Sequence, residues 1–453
     1  MTRSAKAWLS YIIARLSAVA ADAAIVAFSY FAAFALRLDF NEPVFGWRAV
    51  GLACITVCAV NILALASCGC YKLSWRRFSS VDVPRFILAS ALACVVLTLM
   101  RVFMPSVSFA HMRPPYSITA MSFFFSAALI VGARALWRLA FAGRENAASL
   151  IEREERSFDN SAAARFLAGK VVAITGAGGS IGSELSRQAV AAGAAKTLLI
   201  ERCENALYEI HRALAPKADV VPVMLDAGDA ARMADLFAKF KPDIVLHAAA
   251  CKHVPMVELN PDEGWRNNVD ATRALAEVAA KAHVRRFVLI STDKAVNPVS
   301  VMGRSKRAAE EIVMAMQGDT SFCAVRFGNV FGSSGSVVPL FREQIAKGGP
   351  VTVTHPEMRR YFMTVQEAAS LVLQAASRDE HAIYTLDMGE SVNILDLAES
   401  MISSAGYRPY VDIPIVFTGI RPGEKLFEEL DISEKSCFRT DMAKIYITRK
   451  NML

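Results

Sequence analysis

Four apolar stretches constrain this chain before any other feature does. Ser17–Leu36, Val50–Ala66, Phe86–Phe103 and Ile118–Leu136 each come close to the roughly 20 residues that a helix needs to cross a hydrocarbon core. Almost no charge lies on any face of them. Four core helices of a soluble domain do not fit, because such helices must turn a polar stripe to water. A cleaved signal peptide accounts only for the first stretch, which is longer than a signal h-region. The chain has 453 residues, 54% of them hydrophobic, and the excess is concentrated in these stretches. Residues 1–140 are therefore read as four transmembrane helices in contact with membrane lipid.

Basic residues set the expected orientation. Arg3, Lys6 and Arg15 flank the first span, Lys72, Arg76, Arg77 and Arg85 lie in the second connection, and Arg134, Arg138 and Arg144 mark the exit from the fourth. The positive-inside rule then puts both termini in the cytoplasm, although Arg37, Arg48, Arg101 and Arg113 blur the contrast. Asp22 falls inside the first span, where an ionised carboxylate is costly. It reads as a structural contact to Arg15 or to another helix, with a functional polar site as the alternative.

The net charge of +7 comes from Lys and Arg gathered beside the apolar runs. No basic patch is interleaved with aromatics, so nucleic acid is not an expected partner. The nine cysteines have no pairing pattern, and Cys68-Gly-Cys70 lacks zinc-ligand spacing. Reduced thiols and no metal site are expected. Residues 141–168 are mostly polar and charge-mixed, which suits a cytoplasmic linker.

Beyond the linker the pattern changes. Lys170-Val-Val-Ala-Ile-Thr175 reads as a buried strand that runs into Gly176-Ala-Gly-Gly179-Ser-Ile-Gly182, and a helical periodicity follows. A glycine pattern between strand and helix is the fingerprint of dinucleotide binding. Gly176 permits the tight turn, Gly179 lets backbone approach the pyrophosphate, and Gly182 lets helix and strand pack closely. Ser180 and Ile181 open the helix whose N–H groups face the phosphates. Thr197–Glu201 reads as the second strand and places Glu201 on the adenosine ribose, which favours NAD. Arg202 beside it could meet a 2′-phosphate, so NADP stays open. Asp226, after Val220–Leu225, suits the adenine amino group. Further strands at Asp243–Ala249, Arg286–Thr292 and Phe322–Gly328 alternate with helical segments. That period argues an α/β fold with a Rossmann-type doubly wound parallel sheet. Residues 169–330 are assigned to it, and 331–453 mainly to a smaller nucleotide-sugar-binding subdomain.

At this point the chain resembles a family. Ile174–Leu185, His247-Ala-Ala-Ala-Cys-Lys-His-Val-Pro-Met-Val-Glu258, Ser291-Thr-Asp-Lys-Ala-Val-Asn-Pro298, Val301-Met-Gly-Arg-Ser-Lys306, Arg326–Pro339, Met358-Arg-Arg-Tyr-Phe-Met-Thr364 and Arg421-Pro-Gly-Glu-Lys-Leu426 fall in one order. It is that of the membrane-bound nucleotide-sugar 4,6-dehydratases of bacterial polysaccharide biosynthesis, within the extended short-chain dehydrogenase/reductase superfamily. The resemblance implies a multi-pass protein of the bacterial inner membrane with a cytoplasmic catalytic domain, a UDP-sugar substrate and a homo-oligomer. Three departures stand out. The long members carry an extra Rossmann-like domain for which this linker has no room, Cys251 replaces a usual Tyr, and Asn267 stands where Thr is common.

In the resembled reaction a hydride leaves sugar C4 for the nicotinamide, the 4-ketone acidifies C5, water is lost across C5 and C6, and the hydride returns to C6. The resemblance gives Thr292 a hydrogen bond to the C4 oxygen. It makes Asp293 the acid for the C6 hydroxyl, which needs a raised pKa, and Lys294 the base at C5, which needs a lowered one. Met302 and Lys306, at i and i+4, share a helical face. Most relatives of this fold carry Tyr at the first position as base. A thioether takes no proton at neutral pH, so Lys294, Asp293 or a water must serve. The large membrane-bound members also carry Met here and are linked with retention at C5. Lys306 is expected on the nicotinamide ribose, and Ala248, Ala249, Lys252 and Asn268 around the cofactor. His253, Asn329, Val337, Arg360, Arg421 and Glu424 are expected on the nucleotide sugar, the arginines because a planar fork pairs with two phosphate oxygens. UDP-N-acetylglucosamine is the expected substrate. A C4-epimerase and a catalytically silent membrane-tethered scaffold are the alternatives.

Overall fold

A computed structural model describes residues 3–38, 46–72, 78, 82–103, 115–141, 161–430, 432–433 and 436–449. Residues 142–160 of the expected linker lie outside them, as do Arg76, Arg77, Arg113 and Arg144, and its last part is the helix Ser161–Leu167, which buries Ala163 and Leu167. The described chain forms two compact units, one built on the N-terminal helices and one on a large sheet.

In the first unit the apolar stretches become α1 (Arg3–Arg37), α2 (Gly46–Ser67), α3 (Val83–Phe103) and α4 (Tyr116–Phe141). Each contains a window long and apolar enough to span a bilayer. Tyr30, Phe86, Ile118 and Ile130 are buried between the helices, while Phe28, Ile55, Leu63, Leu88 and Phe124 point outward, each more than 60% exposed. Apolar side chains facing out in this density suit lipid rather than water. Asp22 is wholly buried, and its partner is Arg134 on α4: the guanidinium donates to both carboxylate oxygens at 2.9 and 2.7 Å. The carboxylate thus ties α1 to α4 across the bundle, which supports the structural reading of Asp22.

The second unit is a nine-stranded sheet. Its strands are β1 (Val171–Thr175), β2 (Lys196–Glu201), β3 (Val220–Met224), β4 (Ile244–His247), β5 (Arg286–Ile290), β6 (Ser321–Arg326), β7 (Ala382–Leu386), β8 (Cys437–Arg439) and β9 (Ile445–Thr448). The spatial order is β8-β9-β7-β6-β5-β4-β1-β2-β3. The strands from β1 to β7 pair in parallel, and β9 pairs antiparallel with β7 and β8. The pleat sends alternate side chains to opposite layers. Val172, Ile174, Val288 and Ile290 enter one core, while Ala173, Phe287 and Leu289 enter the other. Helices cover both faces, so β4 and β5 are buried at every residue. The sheet does not stop at residue 330. Three strands from beyond residue 330 extend it, so segments expected to bind the nucleotide sugar return to the same sheet.

β1 lies between β2 and β4, and the chain order reverses there. In an open α/β sheet ligands bind at such a switch point, outside the carboxyl ends of the strands. The sequence motifs converge on that edge.

Candidate functional site

The glycine loop leaves β1 and enters the helix Ser180–Ala191. Gly176 has φ +65°, and a Cβ there would come within 2.8 Å of the Ala249 nitrogen. A Cβ on Gly182 would come within 2.0 Å of the Gly176 carbonyl oxygen. Both positions therefore need glycine, one for the turn and one for the helix–strand approach. Beside the loop lies a cleft of about 200 Å³ lined by Gly176, Gly179, Glu201, Arg202, Asp226, Ala248 and Ala249. The Glu201 carboxylate accepts from the Gly178 and Cys203 backbone N–H groups at 3.2 and 3.0 Å, which fixes it at the end of β2. Arg202 faces Asp226 at 3.6 Å, so its charge is already matched by a carboxylate. An open glycine cradle with a carboxylate at the second strand end fits a dinucleotide with a free ribose 2′-hydroxyl.

Across the loop, sharing Gly179 and Ala248, a cavity of about 800 Å³ opens over the ends of β4, β5 and β6. One wall carries Ser180, Ile181 and Gly182, and another Lys252 and His253. Thr292, Lys294, Met302 and Lys306 form the floor. Asn329, Val337, Arg360, Arg421 and Glu424 close the far side. Among the described residues none of His, Cys, Asp or Glu clusters as a metal site would require.

The chemistry-bearing side chains are held in distinct ways. After β5 the chain makes a short 3-10 turn over Asp293–Ala295, with Thr292 capping it. Lys294 Nζ donates to Asp293 Oδ1 at 3.0 Å and to Asn329 Oδ1 at 3.2 Å, and lies 3.6 Å from Glu428 Oε1. Burial works against the ammonium charge, but the two carboxylates more than offset it and raise the Lys294 pKa. The expectation of a lowered value is therefore corrected: in the resting site Lys294 is a firmly held cation. Asp293 is 1% exposed and lies behind the floor rather than on it, with Oδ2 buried and without a hydrogen-bond partner.

Lys306 is the opposite case. It sits on the helix Val301–Ala315 one turn beyond Met302, and its Nζ donates to the Ile290 carbonyl at 2.6 Å. Burial lowers its pKa to about 8, with Glu310 pulling the other way. His247, beneath the floor, is held between the Thr175 and Thr272 hydroxyls, and burial together with Lys306 depresses its pKa to about 3. Lys252 and His253 on the wall are also shifted toward their neutral forms by reduced hydration.

Two residues expected on ligands are also engaged by the protein's own groups. Asn268 is 1% exposed; it accepts from the Cys251 N–H and donates to the Cys251 carbonyl and to Ser305 Oγ. It clamps the turn after β4 to the helix of Lys306 and does not line the cofactor cleft. Arg360 reaches the cavity, but its terminal nitrogens donate to the carbonyls of Arg359, Lys425 and Leu426, and Nε faces Glu428 at 3.6 Å. It fixes the turn that presents Arg421 and Glu424. Those two fit their expected role better. Arg421 is exposed on the cavity wall, and Glu424 Oε2 is buried without a partner. Glu428 was not signalled by the sequence, because only the folded chain brings it to Lys294.

Fold and site together define a Rossmann-type protein of the short-chain dehydrogenase/reductase kind. Residues 172–450 match the family described as polysaccharide biosynthesis protein, and the chain belongs to it. It is 50% identical over 289 residues to the capsular polysaccharide biosynthesis protein CapD of Staphylococcus aureus, a match covering 62% of this chain and 48% of CapD. This chain thus spans about half the length of that relative. It is 42% identical over 281 residues to an uncharacterized membrane protein of Methanocaldococcus jannaschii, covering 60% of this chain and 83% of the relative. Among solved structures, Pen from Bacillus thuringiensis matches with TM-score 0.58 and 28% identity, covering 62% of this chain and 89% of Pen. The dTDP-glucose 4,6-dehydratase DesIV from Streptomyces venezuelae, solved with NAD and TYD, shares the fold with TM-score 0.53 and 21% identity, over 58% of this chain and 88% of DesIV.

Proposed function

We propose that the chain is a NAD-dependent nucleotide-sugar 4,6-dehydratase, acting on a UDP-N-acetylhexosamine such as UDP-N-acetylglucosamine to make its 4-keto-6-deoxy product for a surface polysaccharide. The four helices anchor it in a bacterial cytoplasmic membrane with the sheet unit in the cytoplasm. The observation that carries the reading is the Asp293–Lys294 pair, 3.0 Å apart, with Lys294 on the floor of a cavity large enough for a nucleotide sugar and Asp293 directly behind it. An epimerase needs only a base at C4. Elimination across C5 and C6 needs a second base and an acid, and a proton-sharing pair supplies both. When Lys294 passes its proton to Asp293, the amine becomes the base for C5 and the carboxyl the acid for the C6 hydroxyl. Glu201 on the ribose side and the Arg202–Asp226 pairing favour NAD over NADP.

NAD, when bound, accepts hydride from C4 and returns it to C6. Thr292 holds the C4 oxygen, Arg421 the diphosphate, and Glu424 the uridine ribose. Two protons leave the sugar, from the C4 hydroxyl and from C5. Two are consumed, one on the departing C6 hydroxyl and one at C5, so the chemistry closes with loss of one water.

The test is incubation of the full chain, in detergent micelles with NAD, with UDP-N-acetylglucosamine. Loss of one water by mass and a new C6 methyl signal by proton NMR are expected, with C5 coupling reporting retention or inversion. An unchanged mass with a new C4 configuration would make it an epimerase. Bound NAD with every UDP- and dTDP-sugar inert would leave the scaffold reading.

A further inference from the structure

We infer that Lys306 is the base that takes the proton from the sugar C4 hydroxyl, in the place where most folds of this kind use a tyrosine; the inference rests on the dehydratase reading. C4 oxidation requires a proton acceptor at the C4 oxygen, near Thr292. Met302 occupies the usual position and has no basic atom. Lys294 is held as an ammonium by Asp293, Glu428 and Asn329. Asp293 lies behind the floor.

Lys306 differs from all of these. It lines the cavity and is 5% exposed. Its one hydrogen bond is to the Ile290 carbonyl, two residues before Thr292, which puts Nζ directly under the strand end. Among the described residues it makes no ion pair. Among the charged and titratable groups facing it, Glu310 favours its proton but is already shared with another cation. Glu310, on its own helix, is gripped by Arg326 from β6 at 2.8 and 2.6 Å. His247, from β4, is a neutral ring between two hydroxyls. Asp293 and Lys294, on the strand-end turn, are engaged with each other. A buried amine with no anion of its own loses its proton more easily than an exposed one, and burial brings this one to about 8.

In the step, the Lys306 amine forms an N–H bond to the hydroxyl proton as the O–H bond breaks, C4–H leaves as hydride to the nicotinamide of NAD, and C4 becomes a carbonyl. The new ammonium then donates to the ketone oxygen, which draws charge from C5 and prepares it for deprotonation.

The test uses the full chain in micelles and has two readouts. In competitive acylation followed by mass spectrometry, without cofactor or substrate, Lys306 should become reactive with a midpoint near 8, well below the 10.5 of an ordinary lysine. In a single turnover with bound NAD, C4 oxidation, followed by absorbance of the reduced nicotinamide, should rise with pH through a similar midpoint. Lys306→Arg keeps a cation and a donor for Ile290. It should retain NAD, quantified after denaturation, and lose C4 oxidation by about 10²–10⁴-fold. Met302→Tyr in that background should restore part of the loss with a different pH midpoint. A Lys306 acylation midpoint near the ordinary lysine value of 10.5, or C4 oxidation by Lys306→Arg at the wild-type rate with an unchanged midpoint, would overturn the assignment. Epimerase and dehydratase both begin with C4 oxidation, so an epimerised product would sink the dehydratase reading and leave this test intact.

Discussion

Glu310 is where stability and chemistry meet, and replacing it with alanine should have a large and specific effect. Arg326 grips its carboxylate with two hydrogen bonds, and the side chains are 5% and 0% exposed. Removing one partner of such a pair strands a buried charge and costs about 3–5 kcal/mol. Ser291 Oγ, 2.6 Å from the same carboxylate, loses its acceptor as well, adding about 1 kcal/mol. Together these amount to a fall in melting temperature on the order of 10 °C for a unit of this size. Removing both charges at once, with Glu310→Leu and Arg326→Met, leaves no orphan and should cost far less than the sum of the single changes. The coupling energy should be about 3 kcal/mol. Thermal unfolding of the full chain in micelles, run as a double-mutant cycle, measures it. The sign for Lys306 is also fixed. Glu310 is the carboxylate that favours its ammonium form, so Glu310→Gln should move the Lys306 acylation midpoint below 8. Additive single and double variants, or a midpoint that rises, would refute the reasoning.

Gly182→Ala should abolish NAD retention, measured as cofactor per chain after purification, because its Cβ would lie 2.0 Å from the Gly176 oxygen. Glu428→Gln removes one of the two carboxylates that raise the Lys294 pKa. C5 hydrogen exchange with solvent, which needs the neutral amine, should then set in at lower pH than in the wild type. Asp22→Ala should destabilise the helical unit by about 3–5 kcal/mol by stranding Arg134. The charge swap Asp22→Arg with Arg134→Asp should recover much of that in micelle unfolding.

The parts legible in the sequence are those written in local patterns. The four spans follow from composition, and the glycine loop from a strand and a helix on either side of it. The first six strands follow from short apolar runs, with ends displaced by a residue or two, because apolar runs do not mark where ladder hydrogen bonds stop. The site residues met at one edge because a doubly wound sheet gathers its strand ends there. What was hidden depends on chain segments far apart. Nothing near Asp22 names Arg134, three helices on, as its partner. Nothing near Lys294 announces Glu428, and that carboxylate helps reverse the expected direction of the Lys294 shift. Asn268 and Arg360 have residue types suited to ligands, but the folded backbone presents carbonyls and amides that claim them first.

Under the proposed reaction, the two floor lysines account for a methionine at 302. They share a cavity wall yet are driven in opposite directions, Lys294 up by two carboxylates and Lys306 down by burial. Groups pushed apart in this way can divide acid and base work at one pH. A tyrosine base is activated by a neighbouring lysine cation, so with tyrosine at 302 the ammonium form of Lys306 would be the useful one. Without it, the neutral form becomes useful, and the sparse charge around Lys306 favours that form. Lys294 cannot cover the same duty, because its proton must remain in the Asp293 pair until C5 is acidic. In the proposed reaction the order of events would follow from the environments: Lys306 would act first because its proton is the more weakly held, and its new charge at the ketone would trigger the pair beside it.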